Sequence, residues 1–175
     1  MLALLAQEPM YGYQLRVEFE RRTGSTWPLN IGQVYTTLNR LERDGLVEGF
    51  GEDGEGHSNY RITDAGRTVV DEWFSIPVDR GQPPRDELAM KLAIAVTMPG
   101  VDVPDLVQRQ RSATLVALQN YTRLKRLEAS KAAPDLAWSL VLDSLIFAAE
   151  AEVRWLDHCE ARVRQAAKTS GKGQK

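Results

Sequence analysis

Residues 30–63 read NIGQVYTTLNRLERDGLVEGFGEDGEGHSNYRIT, and the order of their parts decides the fold. Asn30 is a residue type that caps a helix by accepting a hydrogen bond from a free backbone N–H. Apolar residues then recur at helical spacing, which predicts one buried helical face: Val34, Leu38 and Leu41. Gly45 tolerates a positive φ angle and is typical of the residue that follows the last turn of a helix.

Two short segments after this helix predict a β-hairpin. Residues 46–50 and 59–62 can pair, and the segment between them, GEDGEGHS, contains three glycines that favour a flexible turn. A helix that leads directly into a hairpin is the plan of a winged helix-turn-helix. We therefore predict a mostly α-helical protein with an N-terminal winged helix-turn-helix, whose wing has two β-strands.

The face of the 30–44 helix opposite its apolar residues carries short donors and acceptors and one guanidinium, groups that suit base edges and phosphates. This polar set is Gln33, Thr36, Thr37, Asn39 and Arg40. Tyr35 borders the apolar face, so its ring is predicted to pack while its hydroxyl reaches the DNA backbone. Arg43 lies between Glu42 and Asp44, which favours local ion pairing over a phosphate contact.

Residues on either side complete the domain. Residues 13–24 predict the first helix of the motif, and residues 64–74 predict a helix capped by Thr63. The apolar run MLALLA predicts the last turns of a core helix, and we expect the natural helix to begin before Met1.

Three prolines and one glycine within residues 77–86 mark a linker between two domains. Residues 1–76 form the winged helix-turn-helix domain. Residues 87–167 are predicted to be a long-helix dimerisation domain, and residues 168–175 a disordered polar tail. The predicted helices of the second domain are 87–98, 103–131 and 135–167.

The last predicted helix carries a heptad seam, which we predict to be the dimer interface: Trp138, Leu142, Leu145, Ala149, Leu156 and Val163. Helices of about 28 and 33 residues would reach roughly 40–50 Å, which is long for so small a domain and favours a dimerisation arm. An antiparallel pair would leave further apolar side chains for a partner: Val141, Ile146, Val153 and Trp155. Glu152 interrupts the seam; it either pairs with an arginine across the interface, such as Arg154 or Arg162, or marks where the helices diverge.

The distribution of charge argues against a simple nucleic-acid binder. Residues 1–76 hold seven arginines against twelve Asp and Glu, whereas residues 77–175 hold fifteen Lys and Arg against twelve acids. The predicted DNA reader is thus the acidic half of the chain. This balance leaves an alternative open, a winged helix that serves as a protein-interaction module without DNA affinity.

Catalytic, metal and membrane functions find little support in the sequence. Two histidines, one cysteine and no glycine-rich phosphate loop leave too few groups for an enzyme site. His158 and Cys159 are adjacent, which is not the spacing of a zinc site, so we expect no metal and no cofactor. No apolar run reaches the roughly 20 residues of a membrane span, and a lone cysteine fits a reducing compartment, so we expect a cytoplasmic protein.

Three segments resemble the PadR family of transcriptional regulators: PMYGYQL (9–15), GQVYTTLNRLERDGLVE (32–48) and YRITDAGR (60–67). The resemblance implies an N-terminal winged helix, a C-terminal helical dimerisation domain and repression that an effector relieves. It also implies double-stranded operator DNA as a partner and a set of DNA-contacting residues. These are Gln33, Tyr35, Thr36, Thr37 and Arg40 on the recognition helix, and Asn59 and Arg61 at the wing.

Two further expectations concern the wing and the effector. Wings of the family often carry Arg or Lys before the second strand, where this chain has Glu52, Asp53 and Glu55, so we expect the wing to contact a duplex only shallowly. The resemblance suggests a small aromatic effector, such as a phenolic acid or a flat hydrophobic drug. Trp155, which lies off the seam, is the candidate residue for stacking on it, although a packing role is also typical of such a tryptophan.

Overall fold

The computed structural model of the chain describes residues 1–52, 58–79, 81 and 84–172. The chain divides into two compact units, Met1–Asp79 and Arg80–Lys175. This division falls inside the proline-containing segment 77–86, for which the sequence predicts a linker.

The described residues of the N-terminal unit form four helices and three strands. In chain order they are α1 (Leu2–Leu5), β1 (Met10–Tyr11), α2 (Gly12–Arg22), α3 (Ile31–Arg43), β2 (Val47–Glu52), β3 (Ser58–Ile62) and α4 (Asp64–Ser75). The sheet has the order β1-β3-β2, and both pairings are antiparallel. The two predicted wing strands are β2 and β3. Strand β1 was not predicted, because two residues are too few to show an alternating pattern.

Helix α3 begins and ends at the residues that the sequence indicates. Asn30 Oδ1 accepts a hydrogen bond from Gly32 N–H at 2.8 Å, which satisfies one of the free donors at the helix start. Gly45 has a φ angle of +71°, so the chain leaves the helix through a residue without a Cβ.

The apolar face of α3 packs at the centre of the N-terminal unit. Val34 and Leu38 are only 1% and 0% exposed. They meet side chains from the other helices and the sheet: Leu4, Leu5, Met10, Leu15, Val47, Tyr60, Ile62 and Val70. Burying one such side chain contributes about 1.5–3 kcal/mol, so this contact fixes how α3 is rotated about its axis.

The first turn of α4 approaches the start of β2 too closely for any side chain at residue 66. A Cβ on Gly66 would lie 2.2 Å from the carbonyl oxygen of Leu46. Thr63 holds the same junction, because its Oγ1 accepts a hydrogen bond from Gly66 N–H at 3.1 Å and donates one to Gly45 O at 2.8 Å. The glycine of the TDAGR sequence is therefore a packing requirement.

The C-terminal unit consists of three described helices, α5 (Glu87–Ala95), α6 (Val103–Ala129) and α7 (Leu136–Lys172). Asp86 caps α5 and Asp102 caps α6, each through a side-chain oxygen. Helix α7 is longer than predicted. It continues to Lys172, and Ala166 and Ala167 near its end are residues that favour helix. The described part of the predicted disordered tail, residues 168–172, is therefore helical.

Helices α6 and α7 pack antiparallel and bury the heptad seam within one chain. Leu142 and Leu156 have no exposed surface, and Ala149 is 8% exposed. Trp138, Leu145 and Val163 are half-buried. Within one chain, the packing of α6 on α7 therefore covers Leu142, Ala149 and Leu156, whereas the three half-buried seam residues keep some exposed surface.

Replacing Gly66 with alanine should lower the free energy of unfolding by about 1–3 kcal/mol, because the new methyl group must push backbone aside. Chemical denaturation followed by circular dichroism would measure the loss. Gly32→Ala is the matched control, since the only neighbour close to its Cβ is the mobile side chain of Asn30. Equal stability of the two variants would contradict the close approach at residue 66.

Candidate nucleic-acid interface

Four polar residues of α3 line one open depression on the N-terminal unit: Gln33, Thr36, Thr37 and Arg40. Gln33, Thr36 and Arg40 are exposed, and Thr37 is half-buried. Met1 and Leu29 add apolar surface to the same depression. The structure thus brings together four of the five predicted residues of the recognition helix.

The two threonines present acceptors rather than donors. Thr36 Oγ1 donates to Gly32 O and Thr37 Oγ1 donates to Gln33 O, each at 2.8 Å. Each hydroxyl proton is therefore engaged by the helix itself, which leaves an oxygen lone pair and a methyl group facing outward. These groups match an exocyclic amino group of adenine or cytosine and the methyl group of thymine.

Tyr35, the fifth predicted residue, has a packing role. A Cβ on Gly12 would lie 2.7 Å from two carbons of the Tyr35 ring, so the ring rests directly on the first residue of α2. The ring is half-buried. The glycine of the YGY sequence admits this ring and so joins α2 to α3.

The outer face of the wing gathers four side chains. Asn59 and Arg61 lie two residues apart on β3 and share a face, opposite Phe50 and Glu48 of β2. Arg61 Nε lies 2.6 Å from Glu48 Oε1, and its guanidinium carbon lies 5.3 Å from the centre of the Phe50 ring. Sequence reasoning missed Phe50 and Glu48, although the register of β2 against β3 would have found them. The predicted acidic tip, residues 53–57, lies outside the described residues.

Most arginines of the N-terminal unit are neutralised by nearby carboxylates. Five of the seven form ion pairs: Arg16–Glu20, Arg21–Glu18, Arg22–Glu18, Arg43–Asp44 and Arg61–Glu48. Hydrogen bonding from Arg21, followed by that from Arg22, lowers the pKa of Glu18 to about 2. Arg67 donates to Ala6 O at 3.2 Å. Within the described part of the chain Arg40 has no such partner, which makes it the cation most available to a phosphate.

Other kinds of site find no support among the described residues. No group of three His, Cys, Asp or Glu is arranged to hold a metal ion there. Burial raises the pKa of the Cys159 thiol, which favours the neutral form of a small side chain packed against the α5–α6–α7 core. None of the described helices combines the length and apolar character that a membrane span requires.

Two family models match the chain. One, described as the transcriptional regulator PadR-like family, covers residues 1–72, and the other, described as virulence activator alpha C-term, covers residues 84–164. Residues 1–72 belong to the PadR-like family of transcriptional regulators. The resemblance seen in the sequence is thereby confirmed.

Individual relatives of this PadR-like chain match over nearly its whole length. A protein of Mycobacterium tuberculosis named "Probable transcriptional regulator" is 28% identical, over 90% of this chain and 92% of its own. PadR of Bacillus subtilis, solved in complex with operator DNA, aligns over 93% of this chain and 94% of its own with a TM-score of 0.70 and 22% identity. The virulence activator AphA of Vibrio cholerae aligns over 94% and 96% with a TM-score of 0.68 and 24% identity. The winged-helix fold with long C-terminal helices is shared with both structures.

Replacing Glu48 with glutamine should tighten binding to a mixed-sequence duplex, because Arg61 would lose its carboxylate partner and become available to phosphate. The slope of log affinity against log salt should steepen by about one for each wing that gains a contact. Fluorescence anisotropy over a salt series would measure both quantities. Glu72→Gln is the control, because Glu72 is an exposed residue of α4 and the substitution removes the same charge away from Arg61. An equal change in both variants would assign the effect to net charge and not to Arg61.

Proposed function

We propose that this PadR-like chain is a sequence-specific DNA-binding transcriptional regulator, a homodimeric repressor that a small aromatic effector relieves. The observation that carries the proposal is the single surface of α3 on which Arg40, unpaired among the described residues, lies beside Gln33, Thr36 and Thr37. This combination offers one phosphate contact and several base-edge contacts. The operator complex of Bacillus subtilis PadR supports DNA as the partner of this fold.

A second function rests on the ion pairs of the N-terminal unit. Five paired arginines leave little free positive charge, as expected of a winged helix that binds another protein. The salt dependence of DNA affinity distinguishes the two functions. A DNA reader loses affinity steeply as salt rises, whereas a protein-interaction module has no DNA affinity to lose.

Arg40→Ala should weaken binding to DNA fragments that the wild-type protein selects from genomic DNA, because it removes the unpaired cation of α3. We expect a loss of about tenfold and a shallower salt dependence, measured by anisotropy. Arg43→Ala is the control, since Arg43 already pairs with Asp44 at 3.0 Å and should matter much less. Equal losses would mean that net charge, and not the α3 surface, governs affinity. Selection of no DNA by the wild-type protein would favour the protein-interaction module.

The proposed dimer needs exposed apolar surface, and the seam residues Leu142, Ala149 and Leu156 offer almost none. The C-terminal unit exposes many large apolar side chains: Met90, Ile94, Val96, Met98, Val101, Leu115, Val116, Leu127, Leu136, Leu140 and Phe147. So many exposed apolar side chains on one small unit mark an interaction surface. We assign its partner as a second copy of the chain, which would place two α3 helices on successive half-sites.

Three large side chains of this surface share one side of α7. Leu136, Leu140 and Phe147 follow each other by four and seven residues and are 71%, 61% and 68% exposed. They lie on the side of α7 away from α6, because Leu142 faces α6 and is two residues from Leu140. This spacing suits the seam of a helix pair between two chains.

Phe147→Glu should convert the dimer into a monomer, because a carboxylate in the stripe would be buried without a partner. Sedimentation equilibrium or light scattering across a dilution series would measure the mass. Gln165→Glu adds the same charge at an exposed site near the end of α7 and should stay dimeric. A dimeric Phe147→Glu variant would place the interface elsewhere.

The proposed effector is a small aromatic molecule. Bacillus subtilis PadR has also been solved with p-coumaric acid, in a structure that aligns with a TM-score of 0.73. Trp155 of this chain packs, half-buried, against a cluster that includes Leu92, Val107 and Leu156. An aromatic ligand could therefore stack on the exposed side of its indole, and quenching of tryptophan fluorescence would report it.

A further inference from the structure

The first two turns of α3 carry the groups that are best placed to read bases. A recognition helix contacts base edges with residues near its N-terminus, and residues further along it reach the DNA backbone. Residues 31–38 read IGQVYTTL, in which Gln33 and Thr36 are exposed. Arg40 lies one turn beyond Thr36, where a phosphate contact fits. Gln33 and Thr36 are therefore the candidates for base contacts.

The same two turns contain no side chain suited to guanine. Guanine presents two acceptors, O6 and N7, to the major groove, and its usual partner is arginine or lysine. Residues 31–38 contain neither. An A·T base pair presents instead a methyl group on thymine and a neighbouring donor and acceptor on adenine. The composition of these turns favours A·T base pairs.

The hydroxyl proton of Thr36 is engaged by its own helix. Thr36 Oγ1 donates to Gly32 O at 2.8 Å, so the side chain offers no donor to the acceptors of guanine. The same bond holds the side chain in one rotamer, with its methyl group facing outward. The methyl group of Thr36 is thus a fixed apolar group on an exposed surface, and it is complementary to the methyl group of thymine.

Thr37 is less open to a base than Thr36. It makes the equivalent hydrogen bond, from its Oγ1 to Gln33 O at 2.8 Å, but it is half-buried. It also lines an apolar depression together with Leu41 and Val69. Its methyl group is therefore shared with the protein surface, whereas that of Thr36 is exposed.

The side-chain amide of Gln33 is available to a base. It is exposed, and none of the described residues hydrogen-bonds to it. A primary amide matches adenine in two places, because Nε2 donates to N7 and Oε1 accepts from the N6 amino group. Gln33 and Thr36 are three residues apart, about 4.5 Å along the helix, which is close to one base-pair step of about 3.4 Å.

We propose that α3 reads two neighbouring A·T base pairs in each half-site. The amide of Gln33 binds N6 and N7 of one adenine, and the methyl group of Thr36 contacts the methyl group of one thymine. Arg40 binds a phosphate beside them and adds affinity without base preference. This inference rests on the proposed DNA-binding function, and it names the base pairs that the α3 surface recognises.

Replacing thymine with uracil tests the methyl contact. The full-length protein selects duplexes from a pool of random sequences, and each thymine of the shared half-site is then replaced by deoxyuridine, which lacks only the methyl group. At one position the wild type should bind about fourfold more weakly, as expected when one buried methyl group is removed. Thr36→Ser keeps the hydroxyl group and should bind both duplexes equally. Fluorescence anisotropy measures all four affinities.

Thr68→Ser is the matched control for this experiment. Thr68 is an exposed residue of α4, and its Oγ1 likewise donates to a carbonyl one turn earlier, Asp64 O, at 3.1 Å. This variant should show the same uracil effect as the wild type. A uracil effect of equal size in Thr36→Ser and Thr68→Ser would overturn the methyl contact, and so would a wild type that tolerates uracil at every position.

Gln33→Glu tests the adenine contact through a change of preference. A carboxylate accepts hydrogen bonds only and pairs with the N4 amino group of cytosine, so the variant should prefer cytosine where the wild type prefers adenine. The shift in the ratio of the two affinities should be about fivefold or more. Because each protein is compared with itself on two duplexes, a general loss of affinity does not affect the ratio. An unchanged preference for adenine would overturn the assignment of Gln33.

The selection step distinguishes failure of this inference from failure of the proposed function. Recovery of no duplex above background would overturn the DNA-binding function itself. Recovery of duplexes whose shared half-site contains no neighbouring A·T base pairs would leave that function standing and overturn the inference.

Discussion

The burial of Val34 and Leu38 is the constraint on which the N-terminal unit depends. Both side chains are held between the other helices and the sheet, so α3 has one rotation about its axis. That rotation leaves Gln33, Thr36 and Arg40 exposed. A slip of one residue would turn the helix by about 100° and bring polar groups into the core. The buried apolar residues thus determine which polar residues of α3 are exposed.

Sequence periodicity predicted the parts of the first unit that depend on local rules. The cap at Asn30 and the turn at Gly45 follow from the preferences of single residues, and the wing follows from turn composition. The third strand, β1, follows from neither, because its two residues are held only by the partner strand. The contact of Phe50 with Arg61 likewise needs the strand register, which composition does not give.

The second unit shows a different limit of sequence reasoning. A heptad seam indicates that one helix packs against another, but its period is the same whether the second helix belongs to the same chain or to another. Here α6 of the same chain packs against the seam of α7, and Leu142 and Leu156 are fully buried. Glu152 shows the same difficulty in polar form, since the sequence leaves its partner open, and within the chain it accepts hydrogen bonds from an amide and a hydroxyl of α6.

The pairing of five arginines with carboxylates also bears on how such a protein would search a genome. Attraction to phosphate does not depend on sequence, so a freely basic surface is held by every stretch of chromosome it meets. A genome presents about 10⁶–10⁹ such competing stretches. A DNA-binding domain whose arginines are mostly paired with carboxylates binds these competing stretches more weakly. A small number of copies per cell would then suffice to keep the specific site occupied.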